Sequence, residues 1–149
     1  MERSAAALVV DASIAVKWFM PELDSPDAMR IRNAHANQQI SLFAPALLTY
    51  ELANALRFRS TLSDDDLEMA ITSLFDLDLA LIAPTEKSVA DAAVLARTLD
   101  LTIHDATYLE LAQNLDYQLV TSDKSFHDKV ASSSSDNSQR VILLKDYPG

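Results

Sequence analysis

The feature that most narrows the fold of this chain is an alternation. Short apolar runs at 8–10, 40–43, 79–82, 117–121 and 141–144 take turns with longer stretches in which apolar residues recur at helical spacing. The runs read as short buried strands. Helices are predicted over 13–20, 25–37, 46–59, 85–98 and 104–114, with a last one from 123 to 130. Pro21 is placed to stop the first helix and Pro45 to start the third. Ser63 followed by Asp64, Asp65 and Asp66 reads as an N-cap with acidic first-turn residues, and Leu67, Ile71 and Leu74 continue the apolar stripe. The serine-rich segment 132–139 is predicted to be a flexible loop. Strands alternating with helices in this way predict an α/β sandwich around a mainly parallel sheet.

No internal repeat or linker divides the 149 residues, so a single domain over 1–149 is expected. The apolar runs fall far short of the ~20 residues needed to cross a bilayer. The stretch 5–10 is too short for a signal peptide, and the expected location is the cytoplasm, away from membranes. Cysteine is absent, which excludes disulfides and thiolate zinc sites. The one glycine is Gly149, so phosphate-cradling glycine loops, dinucleotide fingerprints and nucleophile elbows are excluded too. His35, His104 and His127 lack zinc-hydrolase spacing. What remains for chemistry is carboxylate.

Ligands of open α/β sheets collect beyond the carboxyl ends of the strands. Asp11 closes the first strand and Asp123 follows the fourth, so the two acids meet if those strands are parallel neighbours. Glu51 interrupts an apolar helical segment, with Asn54 one turn on, and Asp105 lies in the first turn of its helix. Each has an ordinary alternative: turn residue for Asp11 and Asp123, helix cap for Asp105, solvated charge for Glu51. Ser13 and Ser122 can orient carboxylates or cap helices, and capping is the usual role for a serine in Ser13's place. Thr121 shares the strand end with Asp123 and suits a hydroxyl that supports the acids from behind.

The runs Val9-Val10-Asp11-Ala12-Ser13-Ile14-Ala15-Val16-Lys17-Trp18-Phe19, Ala44-Pro45 with Glu51 through Asn54-Ala55-Leu56, Asp105-Ala106-Thr107-Tyr108-Leu109-Glu110-Leu111-Ala112, and Leu119-Val120-Thr121-Ser122-Asp123 resemble, in order, the successive motifs of PIN domains. More narrowly they resemble the VapC-type toxins of toxin–antitoxin pairs. The resemblance implies a three-layer α/β/α sandwich whose central sheet has four or five short, mainly parallel strands. It also implies an acidic quartet of Asp11, Glu51, Asp105 and Asp123, with Thr121 as the hydroxyl before the last acid. His104 stands where relatives often carry an aromatic residue.

An all-oxygen donor set suits Mg²⁺, with Mn²⁺ as substitute. The resemblance therefore implies a metal-dependent endoribonuclease whose partners are an RNA substrate, a small antitoxin and a second copy of itself. The formal net charge of −10 stands against binding to nucleic acid. Bound cations would offset part of it, and Lys17, Arg57, Arg59 and Lys124 are the basic residues near the motifs that can hold flanking phosphates. Trp18 and Phe19 can stack on bases, although such aromatics more often pack inside. Two rival classes are weighed. A phospho-acceptor domain also sets an aspartate at a strand end, but Asp11-Ala12-Ser13 lacks the Asp-x-Asp of a phosphatase and the acid pair of a receiver. A non-catalytic PIN-like module would use its acidic surface to dock a basic partner.

Overall fold

The computed structural model describes residues 6–20, 24–133 and 136–148. Five strands, β1 (Ala6–Val10), β2 (Ile40–Pro45), β3 (Ala80–Ile82), β4 (Gln118–Thr121) and β5 (Val141–Leu143), form one sheet in the order β3-β2-β1-β4-β5. Every pairing is parallel. The helices are α1 (Ala12–Lys17), α2 (Ser25–Ala36), α3 (Leu47–Arg57), α4 (Asp64–Asp76), α5 (Glu86–Leu99), α6 (Ile103–Leu115) and α7 (Lys124–Ala131), and a 3-10 turn spans Leu144–Asp146. Each predicted strand and helix is present, and the sheet is parallel throughout.

The chain steps from β1 to β2 to β3 in one direction, then returns across the sheet to β4 and β5 on the other side of β1. Right-handed crossovers therefore put α1 to α4 on one face and α5 to α7 on the other. The packing agrees: α1 touches α2 and α3, α3 touches α4, and α5 lies along α6, which covers β1, β2 and β4. Strands covered on both faces are apolar without alternation, as in Val9, Val10, Leu119 and Val120, all fully buried. Ile14, Leu42, Leu48, Leu52, Leu109 and Phe126 close the core over them. Trp18 belongs to this core and its indole N–H donates to the Ala28 carbonyl at 3.0 Å, so it is not presented to bases.

Local chemistry explains the element ends. Ser63 and Asp66 form a reciprocal capping box at 3.1 Å in both directions, as the acidic run after Ser63 predicts. With glycine absent from the interior, left-handed turns fall to Gln38, Asp78, Asp100 and Asp116, at φ of 62, 55, 55 and 58°. Pro45 differs from expectation. It ends β2, in register with Ile82, and the Ala46 N–H bonds the Ile82 carbonyl at 2.9 Å, so the chain stays in the sheet one residue longer before α3 begins. The predicted stop at Pro21 lies outside the described residues; α1 has already ended, with Trp18 as its C-cap. Ser134 and Ser135 of the predicted loop also lie outside them. Asn137 of that segment is buried, and its side-chain oxygen accepts from Arg140 at 2.8 Å.

Candidate active site

The strand order reverses between β1 and β4, which pair through Val10 and Val120. The next residue on each strand is Asp11 and Thr121. Asp11 is 5 % exposed and is itself the N-cap of α1, its Oδ1 accepting from the Ser13 N–H at 3.1 Å. This differs from the capping role expected of Ser13. The Ser13 hydroxyl instead donates to Asp11 Oδ1 at 2.5 Å and accepts from the Ser122 N–H at 2.8 Å. Thr121, fully buried, donates through Oγ1 to Asp11 Oδ2 and accepts from the Asp123 N–H at 3.0 Å. Two hydroxyls thus aim both oxygens of Asp11 and tie the β1–α1 junction to the β4–α7 turn. The Ser122 Oγ is buried with no hydrogen-bond partner, so that serine acts through its backbone.

Asp123 is exposed and caps α7, Oδ1 accepting from the Phe126 N–H at 3.1 Å. Asp105 is half-buried in the first turn of α6. Its helix is capped by Thr102, whose Oγ1 accepts from the Asp105 N–H at 3.1 Å, so the carboxylate of Asp105 is not consumed as a cap. Glu51, on the second turn of α3, accepts from the Tyr108 hydroxyl at 2.6 Å through Oε1.

Electrostatics link all four acids. Burial pushes the Asp11 carboxyl up to about 6, the Ser13 and Thr121 hydrogen bonds pull it down, and the Asp105 charge pushes it up again. Asp105 is likewise raised, first by burial, then by the charges of Asp123 and Glu51. Asp105 therefore sits within the field of each of the other three. Among the described residues, however, no three acidic or histidine side chains stand together as a ready-made cation cage. The chemistry of the donor set still fits a hard divalent ion: oxygens only, running from buried at Asp11 to exposed at Asp123, and under a mutual repulsion that a dication would relieve. Side-chain rotation of Asp105 and Asp123 is what would complete a coordination shell with Asp11 and Glu51.

The remaining expected residues are dispersed. Asn54 is exposed and its side-chain oxygen accepts from Arg57 Nε at 2.7 Å; no bond to Glu51 is made. Arg57 also stacks over the Phe58 ring at 3.8 Å. Lys17 is buried and ion-paired to Asp24 at 2.7 Å, which differs from a cation held out for phosphate. Lys124 is exposed on α7 and paired with Asp128 at 2.5 Å, and Arg59 is exposed beyond the end of α3. Sequence reading gave no role to Tyr108 beyond its place in the third motif. The signal was its spacing, three residues after Asp105 and hence on the same helical face.

Comparison with known proteins agrees with the fold. The family model of the PIN domain matches residues 8–131. Ribonuclease VapC3 of Pyrobaculum aerophilum is 32% identical over 126 residues, covering 82% of this chain and 93% of the relative. Among solved structures, PAE2754 of Pyrobaculum aerophilum superposes with a TM-score of 0.64 at 19% identity, covering 94% of this chain and 90% of that one. VapC20 of Mycobacterium tuberculosis, described as a sarcin-ricin loop cleaving toxin, gives 0.66 at 14% identity, with 81% and 93% covered. VapBC2 of Rickettsia felis, bound to a DNA fragment from its promoter, gives 0.62 at 15% identity, with 92% and 96% covered. The three structural likenesses bear on the fold.

Proposed function

The chain belongs to the PIN domain family, and from that premise we propose that it is an Mg²⁺-dependent endoribonuclease, with Mn²⁺ as substitute, that hydrolyses RNA phosphodiester bonds as the toxin of a type II toxin–antitoxin pair. The observation that supports this reading is the buried Asp11 at the reversal point of the sheet, held by Ser13 and Thr121 and sharing the field of Asp105, which also feels Glu51 and Asp123. The relative named as a ribonuclease supports the reaction class, and the VapBC complex among the fold neighbours supports the kind of partner.

In this reading Asp11 and Asp105 are the principal ligands, and Glu51 and Asp123 complete the shell directly or through water. A bound divalent ion supplies charge stabilisation at the phosphoryl group and acidifies an attacking water. The chain's own residues do the rest. Ser13 and Thr121 hold Asp11 in one orientation, and burial at the strand end keeps its charge where it is least screened. Arg57, Arg59 and Lys124 are the basic groups available to flanking phosphates once their present partners yield. Lys17 is spoken for by Asp24. A small antitoxin and a second copy of the chain are the proposed protein partners. No helix among the described residues is long and apolar enough to cross a membrane, and the cytoplasm is the proposed location.

The test is cleavage of RNA by purified protein, with and without chelator, comparing the wild-type chain to Asp105→Asn. Metal-dependent cutting lost in the variant is expected. Cutting that survives both chelation and substitution would refute the mechanism. RNA left intact in Mn²⁺ beside tight binding of a basic protein would favour the non-catalytic module.

A further inference from the structure

Three acids of the site sit on three different elements, and a single hydroxyl ties two of those elements together. Tyr108 lies on α6, three residues after Asp105. Its hydroxyl donates to Glu51 Oε1 on α3 at 2.6 Å, across 57 residues of sequence. The ring is buried beneath the site and belongs to the core. Packing alone does not ask for the oxygen, because a phenylalanine would fill the same space, and a buried hydroxyl without partners is costly. We propose that Tyr108 is a positioning residue: its hydroxyl fixes the Glu51 carboxylate relative to α6 and its Asp105, so that a divalent cation meets Glu51 already oriented.

The physical reason is rotamer freedom. A glutamate on a helix flank has three side-chain torsions, and ordering it when the ion arrives costs free energy that a preset carboxylate avoids. With Oε1 tied to the tyrosine, Oε2 is the oxygen that would be left to meet a cation. The role rests on the metal-dependent reading above, since it is defined by the cation.

The experiment is a double-mutant cycle on Tyr108→Phe and Glu51→Gln, read by Mn²⁺ titration calorimetry, urea unfolding in EDTA, and RNA-cleavage kinetics. Tyr108→Phe is expected to weaken Mn²⁺ binding about 10- to 100-fold, the usual cost of losing a partner behind a metal ligand. The unfolding midpoint in EDTA stays near wild type, kcat falls and KM for RNA holds. In the Glu51→Gln background the same substitution is expected to cost little more. Unchanged Mn²⁺ affinity in Tyr108→Phe, or equal losses in both backgrounds, overturns the positioning role while leaving the nuclease standing. A wild-type chain that neither binds Mn²⁺ nor cuts RNA overturns both. Should Tyr108→Phe fail to fold, Glu51→Asp tests the same tie, because the shortened carboxylate no longer reaches the tyrosine; wild-type Mn²⁺ affinity in that variant overturns the proposal.

Discussion

Replacing Asp11 by asparagine should stabilise the metal-free protein at neutral and alkaline pH, although it destroys the site. Asp11 ionises near 3.8 when unfolded, whereas burial raises it to about 6 in the folded chain. The folded state therefore holds a proton that the unfolded state has released. The stability associated with that proton is fully present below about pH 4 and is lost as pH rises through about 6. At about pH 8 the charged carboxylate costs the fold at most about 3 kcal/mol, at 1.36 kcal/mol for each pH unit of displacement. Asparagine removes the charge. Its oxygen can still accept from Ser13, but its amide group meets the Thr121 hydroxyl, which must turn, at a cost of about 1 kcal/mol. The net expectation near pH 8 in EDTA is a gain of about 2 kcal/mol, or about 4 to 8 °C in Tm for a chain of this size. Near pH 4 the gain disappears and the variant becomes slightly the weaker protein. Urea unfolding of both proteins in EDTA across this range reads the crossover. An Asp11→Asn chain less stable than wild type near pH 8, or a difference that ignores pH, refutes the claim that burial of charge at β1's end is what strains the site.

Three shorter expectations go with it. Mn²⁺ at about a hundred times its Kd should stabilise the wild-type chain by about 2.7 kcal/mol, and Asp105→Asn should show no such rise in a thermal melt; equal shifts would deny Asp105 a place in the site. Thr121→Val, which keeps shape and loses the hydroxyl, should cost about 2 kcal/mol near pH 8, where Asp11 is charged, and clearly less near pH 4; a cost independent of pH would show the hydroxyl supports something other than the carboxylate. Asp100→Gly should raise stability by about 1 kcal/mol or less, since this residue sits at φ 55° with its side chain in solvent, and a loss in urea unfolding would contradict the strain assigned there.

The fold was readable because its evidence is local. Runs such as Leu8-Val9-Val10 and Leu119-Val120 declare doubly covered strands, and Ser63 with its acidic followers declares a helix start. The boundaries that shifted did so through contacts invisible in one dimension. Pro45 looks like a helix opener until the Ala46 N–H is seen bonding Ile82 across the sheet. The site was readable as a set of acids in ordered motifs, and the placement of Asp11 beside Thr121 follows once β1 and β4 are known neighbours. Its support was less so. Ser13 looks like a cap until Asp11 takes that role, Lys17 looks available until Asp24 engages it, and Tyr108 reads as one more apolar position until its hydroxyl is found on Glu51. Such partners lie up to 110 residues apart in the chain, as for Thr121 and Asp11, and no periodicity reports them.

The central position of β1 also sets a schedule for synthesis. This strand precedes the other described strands in the chain, yet one of its two flanking partners, β4, emerges only after six of the seven helices described. A ribosome holding a chain that ends before Thr121 carries an Asp11 with neither its hydroxyl from β4 nor the last acid of the cluster. If the site cuts RNA, the machine translating it is spared until β4 and the turn after it have been made.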